Sequence, residues 1–169
     1  MNTRRLTILT ALALVTVVAT FADDSWVIRE DGAGPVKIGM SLSQLNALLN
    51  EKFVMPAEKD DRACFYVSPK KQPKLSFMML DGRLGRIDVE KPGVQTSTGI
   101  QVGDSEKHTF QIYGHRLKAE PHHYIDNGHY LTAKSDDGRF GIRFETEDGK
   151  ITRYYAGKYE AIQYIEGCE

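Results

Sequence analysis

Five histidines, His108, His115, His122, His123 and His129, all fall in the second half of a 169-residue chain, with Glu120 and Asp126 among them. Imidazoles and carboxylates in that density are the donors a zinc or copper site requires, provided they converge. The spacing argues against convergence. No pair lies four residues apart on a helical stretch, and adjacent His122 and His123 point to opposite faces of an extended segment. They read as surface and loop-packing residues, so no metal is assigned.

The carboxylates that could do hydrolytic acid–base work have turn explanations. Asp81, Asp137 and Asp148 each precede a glycine, as does the Asp126-Asn127 pair, and Asp is chosen there for its tolerance of left-handed backbone. No G-x-S-x-G elbow presents a serine nucleophile. Gly32-Ala33-Gly34 is stopped by Pro35 before it could cradle a phosphate. No catalytic residue and no cofactor are therefore assigned, and whether the protein is an enzyme stays open. A hydrolase or metal-binding protein using the His, Glu and Asp residues of the second half is the alternative to a binding role.

The two cysteines, Cys64 and Cys168, form no C-x-x-C pair. An even count in an exported chain favours one disulfide between them. Export is expected from the first residues: Arg4 and Arg5 precede an apolar run from Leu6 to Phe21, and Ala22 offers a small residue before Asp23-Asp24. This is the layout of a signal peptide over residues 1–22, and the run is short of the roughly 20 residues that span a bilayer. The expected mature chain, residues 23–169, is periplasmic or secreted, soluble and without a membrane anchor. With 22 Lys and Arg against 23 Asp and Glu, spread without blocks, the chain carries no electrostatic footprint for nucleic acid.

The elements that must position these residues come in two matched sets. Phe77-Met78-Met79-Leu80-Asp81-Gly82-Arg83-Leu84-Gly85-Arg86 shares Phe, Asp-Gly, a basic residue, an aliphatic and Arg with Phe144 through Arg153. Val36-Lys37-Ile38-Gly39-Met40-Ser41 is likewise echoed by Ile100-Gln101-Val102-Gly103-Asp104-Ser105. Matched segments in matched order predict two copies of one unit, residues 25–92 and 94–157. In the first, Ser41 and Gln44 form a capping box for a helix carrying Leu42, Leu45, Leu48 and Leu49, stopped at Asn50. In the second, Ser105 caps, Phe110, Ile112 and Tyr113 supply apolar bulk, and Gly114 stops the helix. Strands are expected at Trp26–Ile28, Cys64–Val67, Leu75–Leu80, Leu84–Val89, Tyr130–Ala133, Arg139–Glu145 and Ile151–Tyr155, with a tail strand from Tyr159 to Ile165. The turns at Asp81-Gly82 and Asp148-Gly149 close hairpins. The predicted fold is α+β: one domain of two tandem α-β-β-β units forming an antiparallel sheet, with short helices packed on one face.

The lead-ins Ile38-Gly39-Met40-Ser41 and Val102-Gly103-Asp104-Ser105 resemble the I-G-M-[ST] segment of the β-lactamase inhibitory proteins, which are exported and built from two helix-plus-sheet units. The same segment is similar to that of the small outer-membrane assembly lipoproteins of the SmpA/OmlA type. The resemblance implies the tandem fold and a partner that is another exported or envelope protein. The chain departs from the lipoproteins in lacking a cysteine after the apolar run. It departs from the inhibitors in spanning its units with one disulfide, where a small one within each unit is expected.

A binding or inhibitor-like module is the expected function. Tyrosine crowds the second unit, and a rigid ring with a polar tip suits recognition. With the helices on one sheet face, alternation places Arg143, Glu145, Arg153 and one of Tyr154 or Tyr155 on the other. Ser76, Met78 and Arg86 hold the equivalent places in the first unit. Phe77 and Phe144 point toward the helices. The outward face is expected to be open to solvent or a partner.

Overall fold

The structure, a computed structural model, describes residues 26–168, so the expected leader over residues 1–22 lies outside the described residues. The chain is α+β, with two antiparallel sheets and short helices. Strands β1 (Ile28–Arg29), β2 (Gly32–Ala33) and β3 (Val36–Lys37) form a small three-stranded sheet. The Gly- and Pro-rich stretch expected as a loop thus supplies β2. A Cβ on Gly32 would stand 2.1 Å from the Val36 carbonyl oxygen, so only glycine lets the chain double back this tightly.

Helix α1 (Leu42–Leu49) starts on its capping box: Ser41 Oγ accepts from the Gln44 N–H, and Gln44 Oε1 accepts from the Ser41 N–H at 2.8 Å. It ends at Asn50 in the left-handed conformation, φ 52°. Helix α2 (Glu106–Tyr113) is capped by Ser105 and stopped at Gly114. Both helices are only two turns long and bury a narrow stripe. Leu45 is buried in α1, and Thr109 and Tyr113 in α2, while Leu48, Phe110 and Ile112, expected to pack inward, are exposed.

The main sheet has seven strands, β4 (Cys64–Val67), β5 (Leu75–Leu80), β6 (Arg83–Val89), β7 (Leu117–Pro121), β8 (His129–Lys134), β9 (Phe140–Glu147) and β10 (Lys150–Lys158). Their spatial order is β4-β5-β6-β10-β9-β8-β7, so the two long hairpins meet along β6 and β10. Asp81-Gly82 and Asp148-Gly149 all have positive φ, which matches hairpin turns to the twist of their strands. Gly128 is required for a different reason than its turn signal suggested: a Cβ there would lie 2.4 Å from the Thr146 carbonyl oxygen. Strand β7 was not anticipated, since Lys118, Glu120 and Pro121 give it no apolar alternation. They are the residues that keep a sheet edge from pairing further. The two Gly-x-Ser lead-ins clip onto the hairpins in the same way. Gly39 N–H donates to Leu84 O at 2.7 Å and Gly103 N–H to Ile151 O at 2.8 Å.

Alternation along the strands then divides the sheet into two faces. On one, Phe77, Phe144, Tyr154, Leu131 and Ile142 are buried in one cluster with Leu45 and Tyr113 of the helices. Tyr113 meets Phe144 edge to face with ring centroids 5.5 Å apart.

The other face is not open, which corrects the expected solvent exposure. The tail, expected as a strand from Tyr159 to Ile165, instead makes a 3₁₀ turn at Ala161–Gln163 and crosses this face. Ile162 is fully buried, and a Cβ on Gly141 would lie 2.7 Å from its Cδ1, so the glycine in β9 makes the bed for the tail. The Cys64–Cys168 disulfide joins β4 to the end of that tail, across 104 residues. Closing a loop of that length contributes on the order of 2–4 kcal/mol. Among the described residues no helix is long and apolar enough to cross a membrane.

Candidate functional site

Seven residues were expected on the second face, and register decides the ambiguous one. Tyr154 pairs with Phe144 and belongs to the helix-side core; Tyr155 pairs with Arg143 and lies on the second face. Arg143, Glu145, Tyr155, Met78 and Arg86 share that face but are at most 4% exposed, with the tail lying against Arg86 and Arg143 and the segment after β7 against Glu145. Of the seven, Arg153, with its side chain 42% exposed, and the half-buried Ser76 reach solvent.

Arg86 holds the tail down. Its Nη1 donates to the carbonyl oxygens of Ala161 at 3.2 Å and Tyr164 at 2.8 Å. Nε donates to Asp88 Oδ1 at 2.7 Å, and Nη2 to Asp88 Oδ2 and the Tyr66 hydroxyl, both at 2.8 Å. The guanidinium also lies 4.3 Å above the Tyr155 ring. All five of its N–H groups are thus engaged in a fork geometry that lysine could not reproduce. Burial pushes the Asp88 carboxyl above its ordinary range against the pull of Arg86, and pushes Tyr66 up to about 12, with the Asp88 charge adding to it.

A second knot centres on Glu145. Tyr155 donates its hydroxyl to Oε1 at 2.9 Å, Arg153 Nε lies 2.7 Å from Oε2, and His122 Nε2 lies 3.1 Å from the same oxygen. The Tyr124 amide donates to His122 Nδ1 at 3.1 Å, which places the ring proton on Nε2, pointing at Glu145. His122 also stacks on Tyr130 with centroids 4.3 Å apart. This fastens the segment after β7 over the sheet. The other histidines are dispersed: His108 and His115 are exposed, His123 lies against Tyr124, and His129 Nδ1 is 2.8 Å from Glu106 Oε1. Among the described residues no three His, Cys, Asp or Glu side chains converge as a metal would need.

Between the two covers lies a cleft of about 620 Å³. Its floor is Ser76, Arg86, Asp88 and Arg153 from the sheet with Glu90 just past β6, and its rim is Tyr66 of the edge strand β4, Tyr124 and the Ile165–Gly167 stretch of the tail. Tyr124 donates to Glu166, so the rim closes at one end. Tyr66 and Tyr124 are 40% and 60% exposed around it, while Tyr164 lies in the neighbouring groove beside the disulfide. Sequence reasoning named Arg86 and Arg153, and counted Tyr124 among the tyrosines crowding the second unit, but missed Tyr66 and Asp88. Their signal was there, since Asp88 is two residues from Arg86 and on the same face, but nothing in the sequence said which way the tail would cross.

The Glu145 knot makes stability depend on pH. Burial alone would raise the Glu145 carboxyl, but the bonds from Arg153, His122 and Tyr155 outweigh it and hold the group below its ordinary 4.5. A carboxyl with a folded pKa below its unfolded one contributes stability that is complete above the unfolded value and disappears as pH falls through the folded one. Wild type is therefore expected to lose its advantage over Glu145→Gln progressively below pH 4.5, the two urea-unfolding curves converging at acid pH. A gap of constant size down to about pH 2 would show that the carboxylate charge does not contribute.

No family model matches this chain, and neither the curated proteins nor the solved structures searched give a match.

Proposed function

We propose that this is an exported binding module that captures another exported or envelope protein at the roofed cleft. The observation that carries this reading is the contrast between floor and rim. On the floor, Arg86 with Asp88 and Arg153 with Glu145 neutralise one another, so the charges buried there are engaged in holding the sheet and tail together. Around the rim stand Tyr66 and Tyr124, large rings with polar tips of the kind that anchor protein interfaces. The Cys64–Cys168 link suits an oxidising compartment. A tandem origin for the fold accords with the paired Gly-x-Ser clips, and with the resemblance to exported inhibitory proteins. In this reading the second half adds β7 to the shared plan, and the tail and disulfide convert what would have been a bare sheet face into a shaped site.

The test uses a photo-crosslinking residue at position 124 or 166, and separately at the exposed Lys107 of α2 as a control. A discrete covalent adduct with one exported protein is expected from the rim positions and not from 107. Adducts from 107 alone, or from no position in the native host, overturn the assignment of the cleft.

A further inference from the structure

Arg143 lacks what Arg86 has. Its side chain is 5% exposed, yet its Nε donates at 2.8 Å to the neutral hydroxyl of Thr132, and Nη2 to the neutral amide oxygen of Gln163. The Tyr130 ring lies 5.1 Å from the guanidinium carbon. One carboxylate approaches, Glu120 Oε2 at 3.5 Å from Nη2, but its side chain is 64% exposed on the edge strand. A guanidinium taken out of water without a close, equally buried counter-charge is unfavourable, because desolvation is not repaid by attraction. Something negative at this position would relieve it.

The surroundings are built for that charge. Arg143 opens into a pocket of about 100 Å³ between β7, β8 and the tail, lined also by Arg116, Lys118 and Lys134. Four cations face one another there against Glu120, with Glu30 engaging Arg116 from outside at 2.7 Å. The arrangement follows from register: Lys118 pairs with Thr132, and Thr132 with Arg143, so all three project from the same side of neighbouring strands. Tyr159 and Gln163 of the tail close the remaining side, and Lys134 Nζ sits 4.0 Å above the Tyr159 ring. The volume equals that of about three waters, room for one small oxyanion but not for a sugar or a nucleobase.

We propose that this pocket is an oxyanion-binding site, in which Arg143 meets a phosphate, sulfate or carboxylate group from below while Lys118 and Lys134 close over it. Arg143 supplies a directed donor, and the lysines supply mobile point charges. Glu120 is the internal competitor, occupying the Arg143 edge when no anion is present. The site is separate from the roofed cleft, on the opposite side of the tail, and does not depend on it.

The test is amide chemical-shift titration of the full oxidised protein with sodium phosphate, sodium sulfate and sodium acetate in turn, ionic strength being held constant with chloride. Saturable shifts confined to Lys118, Thr132, Lys134, Arg143 and Gln163 are expected, and the order of the three anions tells whether a dianion or a carboxylate is preferred. Lys118→Gln with Lys134→Gln is expected to weaken binding roughly tenfold, equivalent to about 1.4 kcal/mol. Glu120→Gln is expected to tighten it. These are surface substitutions, so the fold is retained and the comparison stays readable. Shifts that rise linearly without saturation for all three anions, or an affinity unchanged in the double lysine variant, overturn the proposal.

Discussion

Arg86→Ala is expected to lower the unfolding free energy of the oxidised protein by about 3–5 kcal/mol, the cost of breaking a buried ion pair by removing one partner. The size follows from what is left behind. Asp88, with its side chain 12% exposed, loses both hydrogen bonds from the guanidinium, and the Ala161 and Tyr164 carbonyls lose their donor. The tail should then lift, so proteolysis after Lys158 should accelerate while the disulfide keeps the fragment attached. Arg86→Lys should rescue little, because an ammonium cannot reach Asp88, Tyr66 and two carbonyls together. Arg139→Ala, which removes an exposed pair with Asp137, should leave urea unfolding unchanged. If Arg86→Ala unfolded at the wild-type midpoint, the tail would be held by its disulfide and Ile162 alone.

Phe144→Ala and Tyr155→Ala are each expected to cost about 3–5 kcal/mol, the range for truncating a large buried aromatic. They lie on opposite faces of the sheet, 11 residues apart in the chain and on paired strands, and both are at most 2% exposed. Phe144 leaves a hole between Tyr113 and Tyr154, whose rings lie 5.5 Å from it. Tyr155 leaves a hole beneath Arg86 and strips one donor from Glu145, so its loss also disturbs the neighbouring polar knot. On the expectation of an open second face, Tyr155 would have been thermally silent. Tyr155→Phe separates the two contributions: it keeps the packing and loses the hydroxyl, and should cost about 1–3 kcal/mol for the unsatisfied carboxylate oxygen. Circular dichroism melts of the three variants, run together, decide whether the sheet has one core or two.

What could be read along the chain is what depends on near neighbours. Ser41 with Gln44, Asn50, and the two Asp-Gly turns act through hydrogen bonds and φ values spanning a few residues, and each stands in the structure as expected. Alternation likewise placed Phe77 and Phe144 together and Arg86, Arg143, Glu145 and Arg153 on the reverse face, because successive strand residues point to opposite sides whatever covers them. Two cysteines in a chain expected to be exported left a single pairing.

Alternation cannot say what covers a face. The choice between solvent and burial was made for Arg86 and Arg143 by the tail, whose apolar residues read as an eighth strand, and for Glu145 by the segment after β7 that carries His122. Glycine at 141 leaves a shallow bed for Ile162 and Tyr159 of the tail, and Arg86 offers donors to its carbonyls at positions 75 and 78 residues away in sequence. A 3₁₀ turn in that bed satisfies those contacts, whereas an added strand would not. The same long-range closure brings Tyr66, Asp88 and Tyr124 to one cleft and leaves Arg143 buried beside three other cations. Those groups meet only because strand order, register and the disulfide bring distant segments together, and neither local propensity nor periodicity carries that information.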